Sequence, residues 1–147
     1  MNRSTDPMLS SAPTPTVNSL PLRRADFASL ADALDYAAGG ETGVNFNLGA
    51  GKPPIVLSYR TLREQALVLA RRLLSLELKR GARVAVVAET HPDFQRLFYA
   101  CQYAGLVPVG LPAAINLGGL DAYKGRLRGL LQSCDASVAV TSAEFMR

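Results

Sequence analysis

The sequence predicts an α/β fold: an incomplete doubly wound parallel sheet (β-α-β-α-β) preceded by a helix, a β-hairpin and a capped helix. Three observations predict it. Arg83–Glu89 (RVAVVAE) is a continuous apolar run, the pattern of a strand buried on both faces. Two more short apolar runs, Leu106–Leu111 and Ser137–Thr141, follow it, each separated from the last by a stretch with helical periodicity. Helix stops and starts flank the first run and separate it from the second, at Gly81, Thr90 with Pro92, and Gly105.

In chain order, residues 1–24 read as a flexible leader. They are rich in Ser, Thr and Pro and cannot bury enough surface to stay folded. Asp26 is then expected to cap a helix to about Ala38, with Phe27, Leu30, Ala31 and Leu34 on one face and Asp32 and Asp35 opposite. Gly39 and Gly40 stop it. Val44–Leu48 and Ile55–Tyr59 are β-prone, and the turn-rich GAGKPP between them predicts a hairpin.

Thr61 and Glu64 spell a capping box for the next helix. Leu62, Ala66, Leu69, Leu73 and Leu76 make its apolar stripe, widened by Ala70 and Leu74. Lys79 and Arg80 suit the negative end of the helix dipole. After the apolar run, Thr90 and Pro92 open a helix whose inner face is Phe94, Leu97, Phe98 and Cys101, and Gly105 ends it. A loop with Gly118-Gly119 leads to a helix from about Asp121 to Ser133, with Tyr123, Leu127, Leu130 and Leu131 inward. Ser142 reads as the cap of a helix that barely begins. Parallel sheets usually hold more than three strands, so the chain reads as the opening part of a larger domain, truncated, with an uncovered sheet that favours association.

A length of 147 residues suits one domain. No run approaches the roughly 18 apolar residues of a membrane span, and Pro7, Pro13 and Pro15 interrupt any secretory signal. A cytoplasmic protein is expected. Cys101 and Cys134 share no metal-ligand spacing and read as buried thiols. The net charge of +4 is mild. Arg60, Arg63, Arg71, Arg72, Lys79 and Arg80 gather around one helix, yet without interleaved aromatics or a nucleic-acid motif they read as a solvated face.

Ligand sites in open α/β sheets lie beyond the carboxyl ends of the strands, here Glu89-Thr90-His91, Gly110–Ala114 and Thr141-Ser142. His91 is the only histidine and has no nucleophile motif to serve, and Glu89 reads as a strand-end residue. Gly49-Ala50-Gly51-Lys52 fails as a phosphate loop, with Phe46 where the first glycine belongs and Pro53 where Ser or Thr belongs. The ETHP turn after RVAVVA lacks the glycines of a dinucleotide fingerprint. The expected set of catalytic, cofactor-binding and metal-binding residues is therefore empty.

From Ala25 onward the sequence resembles the N-terminal region of fatty-acid–AMP ligases, within the adenylate-forming acyl-CoA synthetase superfamily. The likeness rests on Asp26–Ala38 (DFASLADALDYAA) with GETGVNF, Leu57–Ala70 (LSYRTLREQALVLA), RVAVVAE, and Asp93–Pro112 (DFQRLFYACQYAGLVPVGLP). Gly118-Gly119 followed by Asp121-Ala122-Tyr123 adds to it. The resemblance implies that residues 25–147 are the first part of an AMP-dependent synthetase/ligase large domain. It implies ATP and magnesium as cofactors and a fatty acid as substrate. The acyl group would pass through an acyl-adenylate to an acyl-carrier protein or coenzyme A. The family's phosphate loop and catalytic lysine lie downstream of the matched region, so the fragment alone is expected to be inactive and to bind neither cofactor. Two positions depart from the family: Ala82 stands where an acidic residue usually precedes Arg-Val, and Glu77 where glycine commonly ends the preceding helix. Two other readings remain: a non-enzymatic module that associates with a ligase or carrier protein, and a phosphate binder built on GAGK.

Overall fold

The computed structural model describes residues 20–47, 49, 51, 53–88, 90–113 and 119–141. In chain order these form α1 (Leu30–Ala37), β1 (Gly43–Phe46), β2 (Ile55–Ser58), α2 (Tyr59–Leu74), β3 (Arg83–Ala88), α3 (Pro92–Ala104), β4 (Val107–Pro112), α4 (Gly119–Ser133) and β5 (Val138–Val140). β1 and β2 pair antiparallel, Gly43 opposite Ser58 and Phe46 opposite Ile55. β3 is the centre of a parallel sheet in the order β4-β3-β5, with Val86 opposite both Gly110 and Val140. The α/β class and the expected order of elements are those observed.

Burial explains why β3 takes the centre. Val84 and Val86 point into a cluster with Ala70 and Leu73 of α2, Leu97, Ala100 and Cys101 of α3, and Leu106. Ala85 and Val87, on the opposite face by strand alternation, are buried as well. A second cluster joins Leu34 of α1, Phe46 and Leu57 of the hairpin and Leu62 of α2. A two-stranded hairpin is marginal alone in water, and this packing supplies the apolar contact it needs. Gly43 permits the strands to meet: a Cβ there would lie 2.3 Å from the Leu57 carbonyl oxygen. Gly49 and Gly51 take positive φ (102° and 81°) between β1 and β2, so both serve the hairpin connection.

His91, not Thr90, caps α3, and α4 begins at Gly119, ahead of the expected Asp121. Three further helix boundaries depart from expectation because a different residue caps the chain. α1 starts at Leu30 with Ser29 as N-cap, whose hydroxyl accepts from the Asp32 N–H at 3.1 Å. Asp26 instead pairs with Arg23 at 3.3 Å. α2 starts at Tyr59, directly out of β2, with Ser58 accepting from the Thr61 N–H at 3.1 Å, so the Thr61–Glu64 box is not used. α2 also ends early. Ser75 is the C-cap, Arg71 and Arg72 occupy the last turn in place of Lys79 and Arg80, and Leu74 and Leu76 of the expected stripe are half exposed.

Gly105 caps α3 in the left-handed region (φ 69°), as its position promised. The buried face of α3 is Pro92, Leu97, Ala100 and Cys101; Phe94 and Phe98 are only partly covered. The expected inward residues Tyr123, Leu127, Leu130 and Leu131 of α4 are partly covered too.

Residues 1–19 of the expected leader, Leu48, Ala50, Lys52, Glu89, Ala114–Gly118 and Ser142 lie outside the described residues. Residues 20–24 run beside α1. Leu20 sits against Gly39 and Gly40, where a Cβ at Gly40 would come within 3.1 Å of it. The Tyr36 hydroxyl donates to the Pro21 carbonyl. The Arg23 guanidinium stacks over Phe27, 4.3 Å from the ring centroid.

Candidate functional site: the carboxyl edge of the parallel sheet

The three parallel strands finish at one edge, Ala88 opposite Pro112 and Val86 opposite Val140. Thr90 and His91 follow β3, Ala113 follows β4 and Thr141 follows β5. Open α/β sheets receive ligands at this edge. Local structure sets His91, Asp93, Arg96 and Tyr123 here.

His91 leaves β3 with extended backbone (φ −138°, ψ 146°) and caps α3, its Nδ1 accepting from the Asp93 N–H at 3.2 Å. Pro92, lacking an N–H, fits the first helical position. Arg96 donates through Nη1 to Asp93 Oδ1 at 2.6 Å and through Nε to Gln65 Oε1 at 2.5 Å. This joins the start of α3 to α2. The Tyr123 hydroxyl donates to the Pro112 carbonyl at 3.2 Å and ties α4 to the end of β4. Thr141 Oγ1 is buried and has no partner among the described residues.

A second polar cluster lies at the other end of α3. Tyr103 and Arg63 both donate to Asp35 Oδ1 at 2.6 Å, so one carboxylate fastens α1 to α2 and α3. Burial raises the Asp35 pKa, but the hydrogen bonds from Tyr103 and Arg63 and the Arg63 charge outweigh it and hold the carboxyl below its ordinary value. Burial, then the bond to Asp35, push the Tyr103 phenol well above its usual range. The Arg63 guanidinium is raised by its bond to Asp35.

The residues weighed from the sequence scatter over the fold. Cys101 is fully buried in the main core, where burial pushes its thiol up to about 11. Cys134 sits beyond α4 with its thiol 3.5 Å from the Leu131 carbonyl. Of the basic group on α2, Arg63 is taken by Asp35. Among the described residues no three His, Cys, Asp or Glu side chains gather as a metal site, and no helix is long and apolar enough to cross a membrane. The polar groups at this edge organise helix starts and strand ends.

Residues 44–146, well over half of the chain, match the model of the family described as AMP-binding enzyme. The chain belongs to the AMP-binding enzyme family. A Caulobacter vibrioides (strain NA1000 / CB15N) protein named "Putative acyl-CoA synthetase" is 46% identical over 127 residues, 86% of this chain and 22% of that protein. Disco-interacting protein 2 homolog B of Homo sapiens is 36% identical over 101 residues, 63% of this chain and 6% of that protein. Among solved structures, one from structural and functional studies of fatty acyl-adenylate ligases from E. coli and L. pneumophila superposes with a TM-score of 0.78 at 46% identity. It shares 85% of this chain and 22% of its own. An adenylation domain of a keto acid-selecting NRPS module, bound to keto acyl adenylate, shares the fold with a TM-score of 0.67 at 24% identity. The chain thus spans about a fifth of the length of the first of these AMP-binding relatives.

The sequence motifs point to the family without exposing the polar clusters that hold its segments. Asp35, Arg63 and Tyr103 are separated by up to 68 residues, and no local spacing links them. Asp93 and Arg96, three apart on one helix, are the one pair that spacing could have found.

Proposed function

We propose that this AMP-binding chain is the N-terminal scaffold of an ATP-dependent ligase that activates fatty acids as acyl-adenylates. The observation that carries the reading is the 46% identity, over 85% of the chain, to one structure studied as a fatty acyl-adenylate ligase. The class as a whole does not stand apart: a fatty acid AMP ligase of Legionella pneumophila is 18% identical and the keto acid-selecting adenylation domain 24%. In the complete enzyme a fatty carboxylate would attack the α-phosphate of ATP and expel pyrophosphate. The acyl group would then pass to an acyl-carrier protein or coenzyme A. Magnesium and cationic side chains would neutralise the charge that develops on the phosphate oxygens.

The reacting groups for that chemistry belong, in this proposal, outside these residues. The roles of the described polar groups support it: His91 caps a helix, Asp93 holds Arg96, and Cys101 fills the core. The contribution of this segment is then to set the carboxyl edge of the sheet, through the turn after β3 and the tie between Tyr123 and Pro112. The purified 147-residue chain should show no fatty-acid-dependent exchange of labelled pyrophosphate into ATP. Exchange above a no-enzyme control would overturn the scaffold assignment.

A further inference from the structure

The turn between β3 and α3 contains a conflict of proton states. His91 Nδ1 lies 3.2 Å from the Asp93 backbone N–H and 3.4 Å from Asp93 Oδ2. One nitrogen cannot serve both. Without a proton it accepts from the N–H and caps α3, and it then faces the carboxylate as acceptor against acceptor. With a proton it donates to the carboxylate and can no longer accept, so the N–H loses its partner. We propose that His91 is a protonation switch that trades the cap of α3 for an ion pair with Asp93, so that acidification loosens the turn at the carboxyl edge of the sheet.

The surroundings pull the two states in opposite directions. Protonated His91 gains the Asp93 carboxylate, but it stands at the positive end of the α3 dipole. Arg96, 2.6 Å from Asp93 Oδ1, already claims part of that carboxylate's charge. Across the groove, α2 brings Glu64 and Arg72, of opposite sign, together with Gln65, which binds Arg96. At this end β3 and β4 bring only uncharged described side chains, Val86, Val87, Leu111 and Pro112. His91 is partly exposed, so protons reach it without unfolding, and Pro92 immediately after it is buried.

The test is amide exchange by NMR on the whole 147-residue chain between pH 8 and pH 5, with protection factors corrected for intrinsic rates. Asp93 amide protection should fall about fivefold, the weight of one N-cap, in step with the His91 ring resonances. In His91→Asn, whose side chain accepts without titrating, protection should stay flat. Constant Asp93 protection in the wild type while the ring titrates would overturn the switch. So would an equal fall in His91→Asn. The wild-type titration decides the matter even if the variant does not fold.

Discussion

Glu77 offers a stabilising substitution whose size follows from the backbone. It holds φ at 54° in the turn that leaves α2. The left-handed region costs an L-residue about 1–2 kcal/mol, and glycine has no Cβ to incur that cost. The turn is held by two hydrogen bonds, Leu76 N–H to the Leu73 carbonyl at 3.2 Å and Glu77 N–H to the Leu74 carbonyl at 3.1 Å, so it cannot relax without breaking them. Glu77 makes no ion pair among the described residues that the change would sacrifice. Glycine's greater freedom in the unfolded chain takes back roughly 0.5–1 kcal/mol. Glu77→Gly should therefore gain about 0.5–1 kcal/mol, which raises Tm by about 2 °C in a chain of this size. Glu77→Ala keeps the Cβ and should stay within about 0.5 kcal/mol of the parent. Urea denaturation of the three proteins side by side is the assay. A Glu77→Gly chain no more stable than Glu77→Ala would refute the strain assignment.

Gly43→Ala should destabilise by about 1–3 kcal/mol, as overpacking does, since its Cβ would overlap the Leu57 carbonyl at 2.3 Å; an unchanged urea midpoint would contradict that close approach. Tyr103→Phe removes one donor from Asp35 and should cost about 1 kcal/mol at neutral pH, the net worth of a half-exposed hydrogen bond. Because the folded Asp35 carboxyl is depressed, that contribution is full above the unfolded aspartate value of about 3.9 and is lost as pH falls through the lower folded value. The gap between Tyr103→Phe and wild type should accordingly close in acid, and a gap that widens there counts against the clamp. With its thiol pushed up to about 11 and fully covered, Cys101 should resist a thiol reagent at pH 8 while Cys134 reacts. One thiol titrated in the native chain and two in denaturant is the expected count.

Strand positions were legible because burial writes them into composition. Val84–Val87 can be apolar at four successive positions only where both faces are covered, and all four are buried. Gly105 and Pro92 were legible because each answers a backbone demand, a left-handed cap and a missing N–H. Helix starts were not. Asp26, Ser29, Ser58 and Thr61 are all good caps, and the choice falls to Ser29 and Ser58 because tertiary packing fixes where the chain turns. The early end of α2 was hidden for a similar reason: the apolar stripe continues through Leu76 although the helix does not. Glu77 is the reverse case. The resemblance implied glycine there, and the left-handed backbone at Glu77 (φ 54°) is a conformation that favours glycine. The end of β5 was legible from its apolar run, while β4 runs through the expected end at Gly110 to Pro112; the bond from Asp93 N–H to His91 and the bridge from Arg96 to Gln65 depend on side-chain directions that periodicity does not encode.

The central claim is that these residues form the scaffold of a fatty-acid-activating ligase. Its most direct test replaces the matching segment of a complete fatty acyl-adenylate ligase with residues 25–147 and measures pyrophosphate exchange with a fatty acid. A soluble chimera that retains fatty-acid-dependent exchange within about tenfold of the parent is expected. A soluble, cooperatively folded chimera with no fatty-acid-dependent exchange would contradict it.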